Sequence, residues 1–180
     1  EKVGFVKQNP AFNVTIPKYD IPEKDPAHIF TKEEINMMLD RFKNNHAMYY
    51  AMLTAYCTGL RVSEVFALTW DDIDFENKTM KIARSVQEVN GFGIITKEPK
   101  TETSKRVIYI PERLIGYLLE YKTFWDNRKK YLGDRWSKTD RLFCTDDGDD
   151  ISPGLFIVWL HKILDRAGLP RVTLHSLRHT

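Results

Sequence analysis

The chain has 180 residues, enough for one well-packed domain, and its 42% hydrophobic content excludes a disordered protein. Its formal net charge of +2 is too small to indicate a nucleic-acid partner by itself. No apolar run could cross a bilayer, and residues 1–20 lack the apolar region of a signal peptide. The two cysteines, Cys57 and Cys144, fit no metal-ligand spacing, so we expect a cytoplasmic protein with reduced thiols.

The first 27 residues are predicted to form an extended linker between domains. They contain four of the eight prolines, at Pro10, Pro17, Pro22 and Pro26. Proline fixes φ and removes a backbone donor, which disfavours regular elements. We therefore expect a further N-terminal domain, absent from this sequence, to precede the linker, and a folded domain to occupy residues 28–180.

Three helices are predicted at the start of the folded domain. Thr31 and Glu34 form the pattern of a capping box, followed by apolar residues at helical spacing. A second helix, from about Ala47 to Tyr56, is apolar on nearly all sides and should be central to the core, with Gly59 ending it. A third helix is predicted from about Val62 to Leu68, followed by a turn at residues 71–74.

The apolar period then changes to that of strands. Strands are predicted around Met80 to Val86, from Ile94 to Thr96 and from Arg106 to Ile110. A turn at residues 91–93 separates the first two, and a polar turn at residues 101–104 separates the last two. The pattern predicts one small three-stranded antiparallel sheet inserted in a mainly helical (α+β) domain.

Helical spacing resumes in the second half of the chain. Helices are predicted from Leu114 to about Lys130 and from Pro153 to Ala167, the latter closed by Gly168 and Pro170. A last helix starts near Thr173 and is cut off at Thr180. We therefore expect the natural protein to continue beyond this sequence.

Basic residues at element boundaries suggest a site for one phosphate. Arg61 lies at the predicted first turn of a helix, where an anion is favoured, and its guanidinium can bind a phosphate through two donors. His175 and Arg178 share one face of the last helix, and Lys100 follows the second strand. Each has an ordinary alternative: Arg61 could simply pair with Glu64 at i+3, and the others could be solvated.

Four segments in order, at residues 58–64, 68–74, 100–111 and 175–180, together with residues 31–35, resemble the tyrosine recombinases, the phage-integrase family. Residues 58–64 (TGLRVSE) and 175–180 (HSLRHT) resemble its two signature boxes, and residues 68–74 (LTWDDID) resemble the stretch after the first box. Lys100-Thr101, followed by Ser104, Arg106 and Ile110-Pro111, resembles its hairpin. The start of the catalytic domain is matched by residues 31–35, and the details most resemble integrases of phages and conjugative transposons.

The resemblance implies a mechanism for these residues. Arg61 and Arg178 would bind the non-bridging oxygens of the scissile phosphate and stabilise its pentacoordinate transition state, and His175 would hydrogen-bond the phosphate. Lys100 would be the general acid for the leaving 5′-oxygen, while Glu64 would orient neighbouring groups. A tyrosine would form a 3′-phosphotyrosyl link. No metal or other cofactor is expected, because the arginines supply the positive charge.

The resemblance also leaves alternatives open. The family's nucleophile follows the second box, so none of the eight tyrosines here is assigned that role. The chain is identified as the catalytic domain of a site-specific DNA recombinase or integrase, truncated before its nucleophile, and this fragment itself is expected to be inactive. Its expected partners are double-stranded DNA and other recombinase protomers on paired sites, without a membrane. A type IB topoisomerase-like enzyme and a non-catalytic DNA-binding decoy or regulator of the same fold are the alternatives.

Overall fold

The computed structural model describes residue 14 and residues 29–98, 105–137 and 139–171. Five α-helices and five β-strands lie within these ranges. The helices are α1 (Lys32–Phe42), α2 (His46–Thr58), α3 (Val62–Val65), α4 (Glu112–Leu132) and α5 (Pro153–Ala167). The strands are β1 (Ile73–Asp74), β2 (Thr79–Ile82), β3 (Ser85–Val89), β4 (Gly93–Lys97) and β5 (Arg106–Tyr109). The predicted fold class, mainly helical with a small amount of antiparallel sheet, is confirmed.

The two N-terminal helices begin and end where the sequence indicates. The Thr31 N–H donates to Glu34 Oε2 at 2.8 Å, and the Glu34 N–H donates to Thr31 Oγ1 at 3.2 Å, which completes the capping box of α1. Helix α2 is buried on nearly all sides and lies in the centre of the core. Gly59 ends it in the left-handed conformation, with φ of 63°.

The core packs α2 against α4 through aromatic side chains. Tyr50 of α2 stacks on Tyr121 of α4 with 4.6 Å between ring centroids, and Tyr121 stacks on Phe143 at 5.7 Å. Buried Cys144 accepts a hydrogen bond from Trp125 Nε1 at 3.2 Å, and both cysteines are free thiols. This rigid centre supports the loop between α2 and α3, where the candidate site begins.

The strands form two sheets, whereas the sequence predicted one. β2 pairs with β1 on one side and with β5 on the other, and β3 pairs with β4 as a separate hairpin. The break falls at Arg84, whose guanidinium binds the buried Asp72 carboxylate and Thr69 Oγ1. The strand predicted around Met80 to Val86 is thus interrupted between β2 and β3, and β5 pairs with β2 and not with β4.

Two other predicted features fall differently in the structure, and three lie outside the described residues. The third helix ends at Val65 instead of continuing to Leu68, and the turn predicted at residues 71–74 contains a single 3-10 turn and the short strand β1. The linker 1–27, apart from Val14, and the last helix from Thr173 lie outside the described residues, as does the turn at 101–104. No helix in the described ranges combines the length and apolar character that a bilayer crossing requires.

Candidate functional site

Two of the five predicted site residues are described by the structure. Arg61 and Glu64 lie at the start of α3, whereas Lys100, His175 and Arg178 lie outside the described residues. The convergence of Arg61, His175 and Arg178 on one concavity therefore stays a prediction. The described part of the candidate site consists of Arg61 and the residues that hold it.

The position of Arg61 follows from the turn between α2 and α3. Gly59 reverses the chain, Leu60 anchors it in the core, and Arg61 is the extended residue that precedes α3. Helix α3 has only four residues, so the guanidinium, and not a long helix terminus, is the group able to bind an anion. The Arg61 side chain is 62% exposed and therefore accessible to a ligand.

Glu64 is the buried centre of this cluster. Its Oε2 accepts from the Arg61 backbone N–H at 2.9 Å, and its Oε1 accepts from Arg61 Nη1 at 3.2 Å. The pairing of Arg61 with Glu64 that the sequence left open as an alternative is thus present. This pairing leaves the other guanidinium donors of Arg61 available, because only Nη1 donates to Glu64.

Arg106 reaches the same carboxylate from β5. Its Nη1 donates to Glu64 Oε1 at 3.0 Å and its Nη2 donates to Glu64 Oε2 at 2.9 Å, the parallel fork that a guanidinium forms best with a carboxylate. Arg106 lies in the segment that resembles the family's hairpin, but the sequence assigns it no role. The available signal was the acidic Glu64, which needs cationic partners when buried.

The charges of the cluster are set by these hydrogen bonds. Burial alone would raise the pKa of Glu64, but the hydrogen bonds from Arg106 and from the Arg61 backbone outweigh it, so that the pKa is lowered. The pKa of Arg106 is raised, chiefly by its hydrogen bond to Glu64. Two guanidinium groups and one carboxylate leave one net positive charge, and the more exposed carrier is Arg61. Such a cluster can bind an oxyanion.

A second buried carboxylate supports the neighbouring segment. Asp72 Oδ2 accepts from the Thr69 N–H at 2.9 Å and also binds Arg84, and Arg141 Nη1 donates to the Ala67 carbonyl at 2.8 Å. These contacts fix the chain after α3 against the base of the β3–β4 hairpin. In the described ranges, no group of three or more histidine, cysteine, aspartate or glutamate side chains could hold a metal ion.

Comparisons with known proteins agree with this architecture. The model of the phage integrase family matches residues 28–180. The chain is 30% identical over 191 residues to the XerC-like tyrosine recombinase of Caldanaerobacter subterraneus subsp. tengcongensis, covering 98% of this chain and 49% of that protein. It is 26% identical over 194 residues to the putative defective protein IntQ of Escherichia coli, covering 98% of this chain and 46% of that protein.

A solved structure of similar fold is that of the Tn1549 transposon integrase in complex with circular intermediate DNA. Its TM-score is 0.70 at 25% identity, and the match covers 88% of this chain and 54% of that chain. The chain thus spans about half the length of the curated relatives and of the solved structure that it matches.

Proposed function

Because the chain belongs to the phage integrase family, we propose that it is the phosphate-binding part of a tyrosine-type site-specific recombinase. The observation that carries this proposal is the cluster at the start of α3. The exposed guanidinium of Arg61 is held by the buried carboxylate of Glu64, which Arg106 also binds. Residues 175–180 resemble the family's second signature box, and in this proposal Arg178 is the other arginine that binds the phosphate.

The proposed chemistry divides the work among the predicted residues. Arg61 and Arg178 bind the non-bridging oxygens of the scissile phosphate and stabilise the charge of the pentacoordinate transition state. His175 hydrogen-bonds the phosphate and assists proton transfer. A tyrosine hydroxyl attacks phosphorus, its proton passes to His175, and a 3′-phosphotyrosyl bond forms. The bond to the 5′-oxygen breaks, and Lys100 gives that oxygen a proton. Rejoining reverses these steps.

The substrate in this proposal is double-stranded DNA at paired recombination sites. The Tn1549 integrase to which the chain is similar binds circular intermediate DNA, which supports DNA as the partner and a mobile genetic element as the context. Other recombinase protomers complete the assembly on the paired sites. Residues 1–27 are the linker from an N-terminal DNA-binding domain, residues 28–180 belong to the catalytic domain, and the protein works in the cytoplasm.

A second candidate function is a non-catalytic DNA-binding protein of the same fold. It is favoured by one observation, the likeness to a protein named as putatively defective. Such a protein would keep the anion site at Arg61 and bind DNA, but it would form no covalent intermediate. The two functions therefore differ in one measurable product.

The decisive experiment is covalent trapping on a nicked suicide DNA substrate. The intact protein that contains this chain should form an adduct that survives denaturation, and Arg61→Ala should lose it. Arg113→Ala is the matched control, because Arg113 is an exposed arginine whose partner is Tyr117 at 3.2 Å, and it should keep the adduct. Adduct formation by Arg61→Ala would refute the proposed site, and no adduct from the intact wild-type protein on its authentic site would favour the non-catalytic function.

A further inference from the structure

Glu64 connects two arginines that are far apart in sequence. Arg61 precedes it by one helical turn, and Arg106 lies on β5, across the domain fold. Each carboxylate oxygen receives two donors: Oε1 from Nη1 of both arginines, and Oε2 from Arg106 Nη2 and the Arg61 backbone N–H. A carboxylate offers about four lone-pair positions, so Glu64 has its full set of hydrogen bonds.

The two arginines do not bind Glu64 in the same way. Arg106 forms the bidentate fork, at 3.0 and 2.9 Å, and Arg61 makes one longer side-chain contact of 3.2 Å. A guanidinium has five N–H donors. Within the described part of the chain, Glu64 accounts for all the side-chain hydrogen bonds of Arg61, and that side chain is 62% exposed. Most of the donors of Arg61 are therefore left for another anion.

Without the Arg106 fork, Glu64 would compete for those donors. Its carboxylate is only 10% exposed, and a buried anion with vacant acceptor sites is costly. Arg61 already donates to this carboxylate, and the most stable pairing of a guanidinium with a carboxylate is again a fork. Arg61 would turn inward, and donors that a phosphate needs would point at Glu64 instead.

We propose that Arg106 is a positioning residue, which occupies the fork position on Glu64 and so keeps the donors of Arg61 directed outward for the phosphate. This inference rests on the proposed function of Arg61 as a phosphate ligand. Arg106 itself touches no substrate in this account. It acts through Glu64, on the orientation of Arg61.

A purely structural role for Arg106 makes different predictions. The backbone of β5 is already held by four residue pairs with β2, among them Arg106 with Ile82, so the strand does not depend on the guanidinium for its place. The chain also contains a matched case. Arg84, 34% exposed compared with 37% for Arg106, binds the buried carboxylate of Asp72 and does not contact Arg61. Arg84→Met thus removes a comparable internal ion pair and serves as the control.

The test uses the intact recombinase and three variants: Arg106→Met, Arg106→Lys, and Arg106→Met combined with Glu64→Gln. Single-turnover cleavage of a nicked suicide substrate, DNA affinity and the melting temperature Tm are measured for each. We expect Arg106→Met to slow cleavage roughly 100-fold, the loss that a misplacement of about 1 Å can cause, with DNA affinity within about threefold of wild type. Arg106→Lys should recover part of the rate, because lysine keeps a positive charge beside Glu64. The recovery should be incomplete, because an ammonium cannot form the bidentate fork.

The combined variant separates positioning from structural support. A neutral glutamine has no charge to draw Arg61 inward, so cleavage should rise at least tenfold above that of Arg106→Met, although a second native residue is lost. Arg84→Met should lower Tm without slowing cleavage in the way that Arg106→Met does. A second measurement does not depend on DNA cleavage. ¹³C NMR of the Glu64 carboxyl in the 180-residue chain should show that the pKa of Glu64 is higher in Arg106→Met than in the wild-type chain.

Two results would overturn the inference. Arg106→Met could cleave at the wild-type rate, or its defect could persist in the combined variant while matching a loss of Tm like that of Arg84→Met. These failures are distinct from failure of the proposed function. If Arg61→Ala still cleaves DNA, the proposed function is wrong; if Arg61→Ala is inactive and Arg106→Met is normal, only the positioning role is wrong.

Discussion

Gly148 lies directly against the indole of Trp136. A Cβ at Gly148 would be 2.6 Å from Trp136 Cε2 and 2.8 Å from its Cδ2, and the residue has φ of +85°. Trp136 is buried and meets the Trp125 ring edge-on, with 5.1 Å between centroids. The loop of residues 145–150 can therefore pack closely on the Trp136 indole only because position 148 is glycine.

This contact predicts that Gly148→Ala destabilises the fold. Strain at positive φ and displacement of the indole should together lower the free energy of unfolding by about 2–4 kcal/mol. Gly116→Ala is the control, since Gly116 lies inside α4 with nothing within 4 Å of an added Cβ, and it should stabilise by about 0.5–1 kcal/mol. Urea unfolding of the 180-residue chain measures both; equal stability of the two variants would contradict the close contact.

Glu64 should make a pH-dependent contribution to stability. Its pKa is lowered in the folded protein from the ordinary value of 4.5, because hydrogen bonds from Arg106 and Arg61 outweigh the effect of burial. A carboxyl with a lowered folded-state pKa stabilises the fold above its unfolded pKa and loses this effect as pH falls through the folded value. The Tm difference between wild type and Glu64→Gln should be constant above about pH 5.5 and narrow below pH 4.5.

If the Tm difference between wild type and Glu64→Gln instead grew as the pH fell, the pKa of Glu64 would be raised in the folded protein and the prediction would be wrong. The comparison is internal, because every other carboxyl is shared by the two proteins and cancels to first order. Lys43→Ala, which removes the exposed partner of Asp40, should show little effect at any pH in the same series.

Lys100 is predicted to act in chemistry and not in DNA affinity. In the intact recombinase, Lys100→Ala should slow cleavage about 10²- to 10⁴-fold, the usual contribution of a general acid, with nearly unchanged DNA binding. Lys97 bonds Gln87 across the β3–β4 hairpin, so Lys97→Ala is a suitable control and should cleave normally. A matching defect in Lys105→Ala instead would move the role to that lysine, and normal cleavage by Lys100→Ala would refute it.

The 180-residue chain should bind duplex DNA without reacting with it. Because the expected affinity comes from phosphate contacts, it should be weak and fall steeply as salt rises, and Arg61→Ala should reduce the log–log salt slope by about one. Electrophoretic titration at several salt concentrations measures this slope. No covalent band should form with a nicked suicide substrate, and such a band would show that one of the eight tyrosines is a nucleophile after all.

Local signals in the sequence were sufficient for much of the helical framework. The capping box of Thr31 and Glu34, the left-handed Gly59 and the helix α5 depend on residues within a few positions of each other, and they lie where they were predicted. Contacts between distant residues decided the rest. After Val65 the chain continues in the tighter i→i−3 bonds of Ala67 to Glu64 and Leu68 to Val65, and the Leu68 carbonyl accepts from the Leu142 N–H at 2.8 Å, a contact that no local pattern contains.

The candidate site shows the same division. Arg61 and Glu64 were found as a local pair, three residues apart. The sequence assigns Arg106 no role, because its contact with Glu64 depends on the pairing of β5 with β2, and no local pattern specifies that pairing. A buried carboxylate with one known partner is a sign that a second, distant cation should be sought.

The direct pairing of Ile82 with Arg106 makes the stretch between them a detour in the three-stranded sheet. The chain leaves this sheet at Ile82, the end of β2, and returns to it at Arg106, the start of β5, which is the direct pairing partner of Ile82. In the described residues, β3 and β4 pair as strands only with each other, while side chains of Thr96 and Glu88 are hydrogen-bonded by Arg141 and Ser152. The tip carries exposed Phe92 between two glycines with nothing within 4 Å of an added Cβ. The tip around Phe92 can therefore change in length and sequence while the register that places Arg106 beside Glu64 is preserved.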